Sequence, residues 1–135
     1  MNATPNTVVI AGLGQTPVAE SWDLTLRELA LQAMEAAMTD AAGLRPTALY
    51  VGNMLSGSLS HQNHLGALLA DFAGLTGIEA ATIEAAGASG GMALRVGTLA
   101  VASGMVDAAM VLGVEKLSDQ SVDQVEAALA GRTGA

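Results

Sequence analysis

The stretch TIEAAGASGGMALR, residues 82–95, decides how this sequence folds. It continues a run of mostly small, uncharged residues, 78–86, which is typical of an interior strand. The run ends in a small-residue turn at Gly87, and a helix follows directly from Ser89. A strand that turns sharply into a helix has the geometry of a nucleophile elbow, with Gly87 as the residue at the turn.

A residue at such a turn is held at a helix N-terminus. The helix dipole and the free backbone N–H groups there favour a thiolate, an oxyanion or a phosphate. Gly87 therefore marks the candidate site. The simpler alternative is that a strand-to-helix turn merely requires small residues. Ser89 is a second candidate nucleophile, but its place in the first helical turn favours a capping role.

The residues after the turn predict a buried helix, a buried strand and one more helix. Residues 89–103 have helical length and a single charge, Arg95, so this helix is apolar nearly all round. Residues 107–114 form an almost continuous apolar run, which is typical of a strand covered on both faces. A last helix is predicted over residues 122–130.

The residues before the turn begin with a strand and an amphipathic helix. The β-branched run 7–11 predicts a strand that is buried on both faces. Apolar residues at spacings of three and four over 26–41 predict the helix. Thr25 and Glu28 fit a capping box at its start, and glycine at position 43 supplies its stop.

A second strand and helix follow before the elbow. The strand is predicted over 48–51 and the helix over 65–72, with Ser60 as its cap and Gly74 at its end. Strands therefore alternate with helices along the whole chain. This alternation predicts an α/β domain built from right-handed βαβ units in the order βαβαβαβ.

Composition limits the classes of partner. The chain has 135 residues, 51% hydrophobic and 13% charged, which suits one compact domain with a large face buried against another chain or domain. A net charge of -8 repels phosphate backbones and anionic lipid, so we expect neither nucleic acid nor a membrane as partner. The N-terminus has no basic residue ahead of its apolar run, so no secretory signal is predicted and a cytoplasmic location is expected.

Three kinds of site are disfavoured. The absence of cysteine rules out a disulfide, a thiolate metal site and a cysteine nucleophile in these residues. Gly12 and Gly14 begin like a dinucleotide fingerprint, but Pro17 stands where a small residue is needed, which favours a simple glycine turn. His61 and His64 have no third ligand nearby in the sequence, so a capping or interface role is favoured over a metal site.

Four segments resemble the N-terminal half of a thiolase. They are residues 83–95, GMVDAAMVLGVEKL at 104–117, VVIAGLGQTP at 8–17 and VGNM at 51–54. They match in the same order, so the resemblance spans nearly the whole chain. It points to bacterial and archaeal acetyl-CoA acetyltransferase-like proteins and to sterol-carrier-protein-like thiolases. The resemblance implies two similar βαβαβαββ halves, each with a mixed, mainly parallel sheet and a buried central helix. Residues 1–135 would be the first of these halves, without the C-terminal half.

The resemblance also assigns roles to residues at the elbow. In thiolases the elbow residue is a cysteine that accepts an acyl group from coenzyme A, and the matching position here is Gly87. Ser89 and Gly90, just beyond it, are candidate substrate-binding residues. The family's histidine base and second cysteine lie in the C-terminal half. The resemblance implies a coenzyme A thioester as substrate, with no covalently bound cofactor and no metal.

Three functional hypotheses follow, and whether this chain is itself an enzyme stays open. The first is the N-terminal part of an acyl-CoA C-acyltransferase-like protein, inactive as this chain alone because it has neither nucleophile nor base. The second is a subunit or fragment of a thiolase-like retro-aldolase acting on β-hydroxyacyl-CoA with a zinc-ribbon/OB-fold partner, for which Gly87 would leave room. The third is a non-catalytic assembly subunit. The expected partners are a second copy, joined through the strand at about 80–86, or a C-terminal thiolase half.

Overall fold

The computed structural model describes residues 7–133, without the side chains of the last two. The prediction that the N-terminus carries no secretory signal falls almost entirely outside these residues. Eight elements follow one another along the described chain: α1 (Leu26–Asp40), β1 (Ala48–Gly52), α2 (Ser56–Leu59), α3 (Leu65–Phe72), β2 (Glu79–Ile83), α4 (Ser89–Ala102), β3 (Ala109–Gly113) and α5 (Val122–Thr133).

The three strands form one parallel sheet in the order β2-β1-β3. Ala48 at the start of β1 lies opposite Glu79 of β2 and Ala109 of β3, and both ladders are parallel. Each pair of consecutive strands is joined through helices, as a parallel arrangement requires. The α/β class predicted from the alternating pattern is therefore confirmed.

Helices cover both faces of the central strand. Alternate residues of β1 point to opposite faces of the sheet. Leu49 and Val51 pack into a core with residues of α1 and α3, including Met34 and Leu69. On the other face Tyr50 packs in a second core formed mainly with α4. All five residues of β1 are buried because the strand lies in the middle of this three-layer arrangement.

Helix α1 begins as the sequence predicts. The Thr25 hydroxyl accepts a hydrogen bond from the Glu28 N–H at 3.3 Å, and the Glu28 carboxylate accepts one from the Thr25 N–H at 2.7 Å. These reciprocal bonds form a capping box, which satisfies two backbone donors that a helix N-terminus otherwise leaves unpaired. At the other end, Gly43 has a φ of 81°, which a glycine adopts without steric penalty.

The prediction of a buried strand at residues 7–11 is wrong for the described chain. This segment takes no part in the sheet, and Val9 and Ile10 are each 74% exposed. An open cavity of about 510 Å³ lies between the segment and Met110 and Val111 of β3. Because no neighbouring strand lies within hydrogen-bonding distance, the β-branched sequence has no ladder to join.

The glycines after this segment have a packing role. A Cβ at Gly12 would lie 2.5 Å from the Ala37 carbonyl oxygen, and one at Gly14 would lie 2.1 Å from the Ala33 carbonyl oxygen. Both glycines therefore allow the backbone to lie directly against α1. This close approach accounts for the two glycines of the fingerprint-like motif without a bound nucleotide.

Four further predictions need correction. Ser60 does not cap α3, because that helix begins at Leu65 after His64, which makes no side-chain capping bond. β2 lies at an edge of the described sheet and not in its interior.

Helix α4 is buried along one stripe only, since Leu94 and Leu99 are 53% and 51% exposed. β3 is likewise only partly covered, and Leu112 is its one buried residue.

Within residues 7–133, no helix is both long and apolar enough to cross a bilayer.

Candidate active site

The elbow predicted from the sequence is present between β2 and α4. The chain leaves β2 at Ile83, turns over Ala85–Ala88 and enters α4 at Ser89. Ala86 has a φ of 47°, in the left-handed region that costs a residue with a Cβ roughly 1–2 kcal/mol. The strained residue of the turn is therefore Ala86, one position before the residue that the sequence singles out.

Gly87 is exposed at the outer side of this turn. Its φ lies outside the left-handed region, and among the described residues a Cβ built on it would have no atom within 4 Å apart from its chain neighbours. The position therefore accepts a Cβ without steric conflict. The turn does not require glycine at position 87, although a preference for small residues in the turn is compatible with this geometry.

Side chains on both sides of the turn hold the strained residue in place. The Ser89 hydroxyl donates to the Ala86 carbonyl oxygen at 2.7 Å and accepts from the Ala85 N–H at 2.9 Å. The Glu84 carboxylate accepts from the Ala86 N–H at 2.7 Å. Both backbone polar groups of Ala86 are thus bound by side chains from its own segment.

Ser89 therefore has a different role from the capping role that the sequence favours. Its hydroxyl is turned back to the elbow, and α4 begins after Ala88 with no side-chain capping bond. The side chain is 5% exposed, so it is shielded from a substrate in solution. Gly90, the second candidate substrate-binding residue, is exposed in the same helical turn.

The elbow rests on the end of the central strand. A Cβ at Gly52 would lie 2.7 Å from the Ser89 carbonyl oxygen and 2.8 Å from the Gly90 nitrogen. Only glycine allows this close contact between β1 and the start of α4. The Asn53 N–H donates to the Ile83 carbonyl oxygen at 3.2 Å, which joins the ends of β1 and β2.

A polar cluster lies at the same edge of the sheet and was missed by the sequence reasoning. The Asn53 amide donates to the Glu115 carboxylate at 3.0 Å and to the Val114 carbonyl oxygen at 2.8 Å. The same carboxylate accepts the backbone N–H groups of Met54 and Leu55 at 2.9 and 3.2 Å. The available signal was that Asn53 directly follows β1 and that Glu115 comes two residues after β3, since the carboxyl ends of parallel strands meet at one edge.

Tyr50 is a buried ionisable group on the α4 side of the sheet. Its hydroxyl donates to the Glu79 carboxylate at 2.8 Å. Burial, together with this hydrogen bond and the nearby negative charge, raises the pKa of Tyr50 to about 12. The phenol is therefore protonated at neutral pH and ties β1 to β2.

The two histidines do not form a metal site with other described residues. His61 has a φ of 53° in the loop before α3, and His64 is the residue that precedes this helix. Among residues 7–133, no three side chains of His, Cys, Asp or Glu are placed to hold one metal ion.

Comparison with known proteins identifies the family. The family model for the N-terminal domain of thiolases matches residues 8–134. The chain is 46% identical over 114 residues to an acetyl-CoA acetyltransferase of Methanothermobacter thermautotrophicus, covering 83% of this chain and 30% of that protein. It is 43% identical over 116 residues to an acetyl-CoA acetyltransferase of Methanocaldococcus jannaschii, covering 83% of this chain and 29% of the relative.

This chain belongs to the thiolase family and contains its N-terminal domain. The resemblance seen in the sequence is thereby confirmed. The chain spans about 30% of the length of the curated relatives that it matches.

Proposed function

We propose that this chain is the N-terminal part of an acyl-CoA C-acyltransferase-like protein and that these residues alone do not transfer an acyl group. The observation that carries the proposal is the exposed Gly87 at the start of α4, on a turn with open space around it. In the family resemblance this is the position of the acyl-accepting cysteine. Gly87 offers no nucleophile, and the 135 residues contain no cysteine.

The substrate class follows from the relatives. Both are acetyl-CoA acetyltransferases, which supports a coenzyme A thioester as the ligand of this elbow. The base and the second cysteine of the family would come from a C-terminal thiolase half. Neither a covalently bound cofactor nor a metal is part of the proposal, and the cytoplasmic location expected from the sequence stays a prediction.

The test combines this chain with the part of the relative that it does not match. The chain is co-expressed with the remaining residues of the Methanothermobacter protein, once unchanged and once as Gly87→Cys, and each complex is incubated with acetyl-CoA. We expect the intact mass of one added acetyl group on the substituted chain only, because only a thiol at this position can form the thioester. A complex in which the substituted chain stays unacetylated, or an acetylated Ser89 in the unchanged chain, would contradict the proposal.

A retro-aldolase subunit is the second candidate, and the space around position 87 favours it. Gly87 has no side chain, and no atom of the described residues other than its chain neighbours lies within 4 Å of the place of its Cβ, so a β-hydroxyacyl group could lie where the family has its cysteine. Under this hypothesis, the unchanged chain, combined with its C-terminal half and a zinc-ribbon/OB-fold partner, should cleave a β-hydroxyacyl-CoA. A bulky substitution, Gly87→Leu, would block that cleavage.

A further inference from the structure

The turn that carries position 87 is strained at Ala86, and this strained residue determines the direction in which the chain enters α4. Ala86 directly precedes Gly87, so its φ and ψ set the course of the chain into α4. An L-residue leaves the left-handed region unless its surroundings hold it there. The side chains that hold Ala86 are those of Ser89 and Glu84, and the Ser89 N–H also donates to the Ala86 carbonyl oxygen at 3.1 Å.

Of these two side chains, Ser89 is better placed to hold Ala86 in the left-handed conformation. It is 5% exposed, whereas Glu84 is exposed, so water competes little for the serine hydroxyl. Its hydroxyl binds the turn twice, as donor to the Ala86 carbonyl oxygen and as acceptor from the Ala85 N–H. Replacing this side chain by alanine would remove the partner of the partly buried Ala85 N–H and would leave the Ala86 carbonyl oxygen with the backbone N–H of residue 89 alone.

We propose that Ser89 is a positioning residue, whose hydroxyl keeps Ala86 in the left-handed conformation and thereby holds any side chain at position 87 at the N-terminus of α4. Ser89 itself touches no substrate in this assignment. The inference rests on the proposed function, because position 87 is the acyl-accepting position only if the elbow is that of a thiolase.

The test uses a single thiol as reporter, since the chain contains no other cysteine. The thiol pKa of Gly87→Cys is measured from the pH dependence of its alkylation by iodoacetamide, with Ser89 retained and with Ser89→Ala or Ser89→Thr. We expect the alanine variant to raise the thiol pKa by about one unit and to slow alkylation at neutral pH by about tenfold, because the thiolate fraction falls in that proportion. Threonine retains the hydroxyl and should keep the low pKa.

A rescue separates positioning from general destabilisation. Glycine adopts positive φ without steric penalty, so adding Ala86→Gly to the Ser89→Ala variant should restore the low thiol pKa. The variant with both Ala86→Gly and Ser89→Ala also provides a folded protein for the thiol measurement if Ser89→Ala alone does not fold. A matched reporter, Thr76→Cys, lies in an exposed turn at the end of β2 opposite to the elbow and should be alkylated at the same rate with serine or alanine at position 89.

The outcomes separate the two proposals. An unchanged thiol pKa in folded Gly87→Cys/Ser89→Ala overturns the role of Ser89 and leaves the elbow standing. Failure of Ala86→Gly to restore the pKa also overturns it. An ordinary thiol in Gly87→Cys with Ser89 intact would instead overturn the elbow, and with it the proposed function.

Discussion

At the scale of single residues, the turn between β2 and α4 separates backbone strain from the position proposed for the reactive group. Gly87 is exposed and free of steric contacts, while the neighbouring Ala86 carries the left-handed φ. In an elbow the reactive side chain is commonly borne by the strained residue. Here the strained residue, Ala86, directly precedes position 87, so a side chain at position 87 adds no backbone strain of its own.

This arrangement predicts a reactive thiol in the Gly87→Cys variant. The helix dipole and the free N–H groups at the start of α4 should lower the thiol pKa below the roughly 8.5 of a free cysteine. Alkylation by iodoacetamide at neutral pH should therefore be faster than that of Thr76→Cys, an exposed control. Circular dichroism should show the same helical content in both variants, and equal alkylation rates in two folded proteins would refute the assignment.

At the scale of elements, α1 has the clearest local determinants. The Thr25 backbone N–H and hydroxyl both donate to the Glu28 carboxylate at 2.7 Å. The backbone bond is the largest cause that lowers the pKa of Glu28 below its ordinary value of 4.5, followed by the hydroxyl bond. Because the folded pKa is lowered, this contribution to stability is present above the unfolded pKa and is lost as the pH falls through the folded value.

The capping box can be tested by stability measurements. Thr25→Ala should lower the free energy of unfolding by about 1 kcal/mol at neutral pH, because it removes the hydroxyl that caps the helix. Glu28→Gln should also destabilise the chain at neutral pH, and its difference from the unchanged protein should shrink as the pH falls below 4.5. Urea unfolding at several pH values measures both effects.

The matched control is Glu35→Gln, an exposed carboxylate in the middle of the same helix. It removes the same charge without touching the cap. An equal loss of stability for Glu28→Gln and Glu35→Gln would show that the charge, and not the capping box, matters.

At the scale of the whole molecule, the described chain leaves large apolar surfaces open. Val9, Ile10 and Leu13 are each more than 70% exposed along the segment before α1. Leu94 and Leu99 of α4 are each about half exposed, and Leu94 lines the same open cavity as Val9 and Ile10. Such extended apolar surfaces mark interfaces with other chains or domains. The low charge content of 13% leads to the same expectation from composition alone.

We therefore predict that the chain self-associates at micromolar concentration, and the family resemblance implies that residues 80–86, which include most of the edge strand β2, lie at the interface. Light scattering should give a mass above that of a single 13.4 kDa chain. Hydrogen exchange should show protection of residues 80–86 that increases with protein concentration, whereas residues 122–130 of α5 serve as the control. A stable monomer, or protection confined to the outer face of α4, would argue against a dimer formed through this strand.

The sequence by itself determined the features whose cause is local. The capping box at Thr25, the start of β1 at Ala48 and the turn into α4 at Ser89 all lie where the pattern places them. Each depends on residues that are close in sequence, so its energetics can be read from a short window. The family resemblance was likewise visible in short segments, and the family match confirms it.

Tertiary structure alone decided what depends on distant neighbours. The β-branched run at residues 7–11 has the composition of a strand, yet it joins no ladder of the described chain because an open cavity separates it from β3. The contact of Gly52 with the start of α4 joins positions far apart in sequence. Strand pairing and close backbone contacts are formed in three dimensions, and periodicity along the chain does not encode them.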